Sequence, residues 1–211
     1  MTRLLALALA AALPAFAAAE ASTWAIDPAH SSSQFSVKHL VISTVRGQFG
    51  KTTGAIHLDE KDPSRSSVEA TVDVSTIDTR VPDRDAHLKS PDFFDVARYP
   101  TITFKSTKVQ PAGQGELKVT GDLTLKGTTR TVTWDVTYSP QVIKGAKGEQ
   151  RRAFSATTKI NRKDYGLNWS KMVEASPVAG DEVTITVDTE TIQDGGDAIN
   201  AATATTKQEK K

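Results

Sequence analysis

Between Trp24 and Gln193 apolar and polar residues alternate with a period of two, and no other feature limits the fold of this 211-residue chain so strongly. Period two places successive side chains on opposite faces of a strand, so each run reads as a strand with one buried and one wetted face. That is the habit of antiparallel sheets. Phe35, Val37, His39 and Val41 share one face of such a run, and Val68, Ala70, Val72 and Val74 share another. Ile102 and Phe104 follow, then Leu117, Val119, Leu123 and Leu125. The pattern returns at Val132, Trp134, Val136 and Tyr138, at Phe154, Ala156, Thr158 and Ile160, and at Val183, Ile185 and Val187.

Between Thr44 and Leu58 the phase changes, since Val45 and Phe49 lie on odd positions but Ile56 and Leu58 on even ones. A one-residue slip would turn the apolar face to water, so an interruption near Gly47, Gly50 or Gly54 is expected. Turn signals at Asp62-Pro63-Ser64, Pro111-Ala112-Gly113, Lys126-Gly127 and Lys144 to Gly148 separate the runs. The runs number about eight, at which a closed barrel has an interior suited to side chains or to one ligand. Pro82 to Ser90 breaks the pattern: helix-compatible residues, an Asp85 to Lys89 pair and a stop at Pro91 predict a short helix across one barrel end. From Asp194 periodicity disappears, and residues 194–211 read as a disordered tail.

Ahead of the barrel, Arg3, the apolar run Leu4 to Leu13 and the small residues ending at Ala17-Ala18-Ala19 read as a secretory signal peptide, cleaved after Ala19. The apolar run is shorter than the roughly 20 residues a membrane span needs. The expected organisation is a signal peptide over 1–19, one β-barrel domain over 20–193 and the tail over 194–211, in a periplasmic protein with no integral membrane span. Lys and Arg total 26 against 25 acidic residues, which leaves no basic excess for a nucleic-acid partner. Cysteine is absent, excluding disulfides and thiolate metal sites.

Reaction chemistry is hard to find. The sequence has no H-E-x-x-H helix, no G-x-S-x-G elbow, no phosphate-cradling glycine loop and no EF-hand loop. Of the four histidines, His57 alternates with Ile56 and Leu58 and should face solvent, while His30 precedes Ser31-Ser32-Ser33 and could orient the first long strand. His39 falls in phase with Phe35 and Val37, an inner-face imidazole that is either a hydrogen-bonded core group or a ligand contact. His87 stands near Arg84 and Asp85, a trio readable as catalytic or as a charge network pinning the helix to the barrel. No nucleophile accompanies it, which favours the second reading. Aromatics make up only 6% of the chain, and the inner faces mix them with Ala, Val and Thr, leaving room for an apolar cavity. Each methylene buried there would gain about 0.8 kcal/mol, enough for a long hydrocarbon to bind with little polar chemistry.

A set of ordered blocks resembles the YceI-like family. They include Asp27-Pro28-Ala29-His30-Ser31, Phe35-Ser36-Val37-Lys38-His39-Leu40, Val45-Arg46-Gly47-Gln48-Phe49 and Ile77-Asp78-Thr79. Arg84 to Ser90, Asp92-Phe93-Phe94-Asp95, Tyr99-Pro100-Thr101, Phe104-Lys105-Ser106, Gly121 to Gly127 and Asn161 to Leu167 continue the match. Thr128 departs from it, standing where the family commonly has a hydrophobic residue. The resemblance implies an extended lipocalin-like antiparallel β-barrel with a tunnel for a polyisoprenoid or similar amphiphile, periplasmic and often dimeric, and it does not imply an enzyme.

The expected function is binding or carriage of a long-chain isoprenoid lipid, a polyprenyl phosphate or an isoprenoid quinone, with no other cofactor and no metal. Candidate wall residues are Phe35, Val37, His39, Phe49, Val72, Val74, Ile102, Phe104, Trp134, Phe154 and Ile160. Arg84 and His87 are candidates for a head group at the mouth, because guanidinium suits phosphate geometry. The alternatives are a lipid-modifying hydrolase or isomerase built on Arg84, Asp85 and His87, and a solid barrel serving as an interaction module.

Overall fold

The computed structural model describes residues 21–40, 42–169 and 178–193. The expected signal segment and tail, Val41 and Ser170 lie outside the described residues. The first half of the chain forms β1 (Ser22–Ile26), β2 (Ser32–His39), β3 (Ser43–Phe49), β4 (Thr52–Leu58), β5 (Ser67–Asp73) and β6 (Ile77–Asp78). One helix, α1 (Pro82–Lys89), follows. The second half forms β7 (Thr101–Gly113), β8 (Glu116–Leu125), β9 (Thr128–Tyr138), β10 (Ile143–Lys144), β11 (Gln150–Asn161) and β12 (Ala179–Gln193).

Every pairing among these strands is antiparallel, and the neighbours β11, β9, β8, β7, β5, β4, β1 and β12 make a ring. β12 closes it by pairing with β11 from Arg151↔Ile192 to Asn161↔Glu182. The result is a closed eight-stranded barrel. The remaining segments mostly lengthen its staves: β2 prolongs β1 against β12, β3 prolongs β4, and β6 prolongs β5.

Local chemistry explains each break in a stave. At the β1–β2 bend Pro28 has no N–H to give a ladder, and the Asp27 carboxylate accepts from Ala29 N at 3.0 Å. The phase change predicted between Thr44 and Leu58 falls at Gly50 and Lys51, between β3 and β4; Gly47 and Phe49 are buried before it, Thr52 and Leu58 after it. β5 stops because the Asp73 carboxylate accepts from Ser75 N at 2.9 Å and turns the chain into a short 3-10 helix.

That last turn corrects the expectation that Val74 continues the alternation of Val68, Ala70 and Val72. Val74 has left the strand, and it packs almost wholly buried against Phe49, Ile77 and Ile102. A second correction concerns Pro111 to Gly113, which lie inside β7 with a register shift between Pro111 and Gly113; the turn itself is Gln114-Gly115. The irregularity gives Pro111 a place where its missing N–H breaks no regular ladder. Lys126-Gly127 is a turn as expected, with φ of 49° and 73°, the two positive angles of a tight primed hairpin turn joining β8 to β9.

α1 starts at Pro82, carries Asp83 and Asp85 in its first turn and His87 and Lys89 in its last, and stops before Pro91. Its cap residue, Val81, offers no side-chain acceptor. Asp85 supplies the tether instead, accepting from Thr79 N at 2.9 Å and from Thr79 Oγ1. Among the described residues no helix is long and apolar enough to cross a membrane.

Candidate functional site

The barrel interior is not filled by its own side chains. Buried apolar residues gather in three clusters along the axis: one around Phe49, Ile102, Leu125 and Ile160 near α1, one around Val109, Val119 and Trp134, and one around Trp24, Leu58 and Phe154 at the far end. Between them runs a cavity of about 410 Å³, walled overwhelmingly by apolar side chains. This volume falls in the range of small-molecule sites.

The bore ends differently at its two mouths. At the far end Leu58 and Phe154 still line it, and behind them Arg152 lies buried between the rings of Trp24 and Tyr138, at 5.0 and 5.7 Å from their centroids. Arg152 also pairs with Glu60, so this floor holds a charge under aromatic cover. At the α1 end the lining includes the exposed Lys38 and the part-exposed His39, His87 and Trp169, and here the bore meets the surface.

Phe35, Val37, His39, Phe49, Val72, Ile102, Phe104, Trp134, Phe154 and Ile160 all line the bore. So do Arg84 and His87, which stand with Leu88 on the α1 side of the mouth. Val74 does not, having turned away at Asp73. His57 is exposed and meets Thr23 Oγ1 at 2.9 Å, and His30 pairs with Asp27 at 2.9 Å in the β1–β2 bend.

The trio of Arg84, Asp85 and His87 does not converge. Arg84 donates from Nε to Thr79 Oγ1 at 2.7 Å and from Nη2 to Thr79 O at 2.8 Å, and Asp85 accepts from the same threonine. Both side chains therefore hold the start of α1 to the end of β6. His87 does not join them at Thr79: it lies 3.3 Å from Asp92 and edge-on to Phe93 and Trp169, whose rings stack at 5.3 Å. Phe93 and Trp169 line the mouth and were not among the candidate wall residues, although Phe93 belongs to a block that carries the family resemblance. Position in the chain offered little more, a pair of aromatics just after a helix and a tryptophan in a loop.

Also missed were Ser33 and Thr52, buried polar residues of the bore wall whose hydroxyls meet at 2.8 Å. Arg162 was missed as well, although it continues the inner-face series Phe154, Ala156, Thr158 and Ile160. It is buried at the α1 end, where it donates to the carbonyls of Gly180 and Leu167 and pairs with Asp181.

Comparison with known proteins agrees with the barrel. The family model described as YceI-like domain matches residues 24–191. The chain belongs to the YceI-like family. It is 39% identical over 170 residues to a UPF0312 protein of Vibrio cholerae, covering 78% of this chain and 87% of that one. A UPF0312 protein of Staphylococcus aureus is 38% identical over 157 residues, covering 74% and 89%. Among solved structures, Burkholderia cenocepacia BcnA superimposes with a TM-score of 0.70 at 27% identity, over 78% of this chain and 98% of that one. A polyisoprenoid binding domain from Saccharophagus degradans, implicated in plant cell wall breakdown, has the same fold at a TM-score of 0.61 and 14% identity, covering 81% and 98%.

Proposed function

We propose that this YceI-like protein binds and carries one long-chain isoprenoid lipid in its bore, in the periplasm, and does no chemistry on it. The observation that carries the reading is the bore itself, about 410 Å³ of space walled by apolar side chains inside a closed barrel. Burial of hydrocarbon there gains about 0.8 kcal/mol per methylene, so a chain of many methylenes binds without polar anchoring. The polyisoprenoid binding domain of Saccharophagus degradans shares this fold and supports a ligand of that class. The signal-like first 19 residues support export. At the mouth His87, and the Arg84 Nη1 that is not bonded to Thr79, suit the phosphate of a polyprenyl phosphate whose tail lies in the bore.

The geometry gives less to the rival readings. A hydrolase or isomerase needs Arg84, Asp85 and His87 to act on one reacting atom, and two of them are committed to Thr79. A pure interaction module has no use for an unfilled interior. The test is native mass spectrometry of the exported full-length protein, followed by solvent extraction. A stoichiometric prenyl lipid is expected; a protein that arrives empty and takes up neither undecaprenyl phosphate nor the long prenol solanesol would refute the reading.

A further inference from the structure

The β2–β3 hairpin forms one lip of the mouth. Lys38 and His39 near its end line the bore, and so do Val178 and Ala179 of the facing chain. Leu40 N donates to Val178 O at 3.1 Å, and His39 pairs with Ala179. At the tip Ile42 is 85% exposed, more than any other large apolar side chain among the described residues, and Leu40 is 43% exposed. Neither lines the bore or joins a core cluster, so the fold makes no use of their apolar character. Leu40 also has a φ of 49°, a backbone angle that suits glycine or asparagine, so the turn itself does not ask for leucine.

Charge is segregated at the same place. From Ser32 to Phe49 the hairpin carries Lys38, His39 and Arg46 and no Asp or Glu. Lys38 and Arg46 are exposed, and neither has an ion-pair partner among the described residues. The titratable side chains that line the bore are Lys38, His39, Arg84, His87 and Arg162, none of them acidic. Asp92 and Asp181 stand at this end too, but the first pairs with His87 and the second with Arg162 and Lys163. An apolar tip backed by cations fits a bilayer with anionic headgroups, where apolar side chains sink to the acyl boundary and Lys and Arg stay with the phosphates. A strand rises about 3.3 Å per residue, which puts Lys38 about 7 Å behind Leu40, roughly the depth of a headgroup layer.

We propose that the tip of the β2–β3 hairpin docks on an anionic bilayer, inserting Leu40 and Ile42 and setting the mouth of the bore against the membrane that supplies or receives the lipid. The proposal rests on the bore being a lipid site, since a long hydrocarbon chain is scarcely soluble in water and has to pass between bilayer and bore. Two apolar side chains and a few cations give weak, reversible attachment, which suits a carrier that leaves again.

The chain has no cysteine, so a single one reports from a chosen place. The exported protein is labelled with nitrobenzoxadiazole at Ile42→Cys or, at the far end, at Ile143→Cys, where the native side chain is 64% exposed. Vesicles of phosphatidylcholine and phosphatidylglycerol in equal parts brighten the Ile42 label and shift it to the blue; the Ile143 label stays unchanged, and pure phosphatidylcholine has little effect on either. In flotation with the anionic vesicles Ile42→Asp loses at least about tenfold in binding and Arg46→Glu at least about fivefold. Ile42→Asp also takes up solanesol more slowly from vesicles, but at the unaltered rate from detergent solution, since it leaves the bore wall intact. An Ile42 label indifferent to anionic vesicles would overturn the docking alone, and so would a blue shift that needs only more protein, because a second copy would then cover the tip. Failure to take up solanesol from either source would refute the lipid-site reading, and the proposal with it.

Discussion

The ring of Phe35 lies directly over Gly47, its register partner across β2 and β3, so closely that a Cβ on Gly47 would fall 2.4 Å from Phe35 Cζ. Glycine at 47 is therefore a demand of space and not of backbone angle. It lets Phe35 lie against the wall beside Phe49, 5.8 Å away, near the α1 end of the bore. Gly47→Ala drives the Phe35 ring inward, off its rotamer, and costs about 1–3 kcal/mol in urea unfolding. Solanesol affinity falls in the same variant, because the displaced ring occupies ligand space; an unchanged affinity would show that the ligand does not reach this level.

Filling the bore separates its role in binding from its role in folding. Ala156 lines the middle of the bore on β11, paired with Val136 and Val187. A phenyl group added there enters open space, so Ala156→Phe keeps its melting temperature or raises it. Uptake of solanesol, measured by native mass spectrometry, drops by at least about tenfold, since a narrowed bore cannot hold a continuous chain. A variant that folds normally and still loads fully would place the lipid elsewhere.

Asp85 holds α1 to the barrel in the absence of a capping side chain at Val81. Asp85→Ala removes acceptors from both Thr79 N and Thr79 Oγ1, a loss of about 1–3 kcal/mol. Arg84 keeps its bond to Thr79 O, so the helix loosens without detaching. Hydrogen exchange should quicken across Pro82–Lys89 with the barrel strands unchanged. Faster lipid release would follow if α1 borders the exit; exchange that rises evenly across the whole chain would refute a local tether.

Much of this was legible in the chain because strand alternation is a strong local signal. Phe154, Ala156 and Ile160 could be put on the inner face of β11 from spacing alone, and so could Arg152 and Arg162, which the same phase places at either end. They were passed over because an inward arginine reads as an error until its cover is known. For Arg152 that cover is Trp24 and Tyr138, both distant in sequence. The bend at Asp73 escaped for another reason: valine at 74 fits the period, and only the Asp73 side chain bonding Ser75 N shows that the strand has ended. Mouth residues such as Phe93 and Trp169 depend on how a loop folds at the end of the bore, which no periodicity encodes.

The β1–β2 bend is held by charge, and acid should release it. Arg151 on β11 pairs with Asp27 at 3.0 Å, with Glu149 at 2.8 Å and with Glu190 of β12, tying the bend to two strands of the closing seam. Burial works to raise the Asp27 pKa, but hydrogen bonds from His30, Ala29 N and Arg151 outweigh it, and the net value lies below the ordinary 3.8. The hydrogen bond from Arg151 leads the effects that hold Glu149 below its ordinary 4.5. A carboxylate with a depressed folded pKa stabilises the fold in full above its unfolded pKa, and that stability is lost as pH falls through the folded value. The melting temperature should thus be flat from about pH 7 to about pH 5 and drop below about pH 4. Arg151→Gln should lower it at neutral pH, where three carboxylates lose their shared cation, and make the acid drop shallower, because the pKa values of Asp27 and Glu149 rise toward their ordinary values. Parallel melting curves for the two proteins across that pH range would refute the clamp, since Arg151 would then have no linkage to the carboxylates it touches.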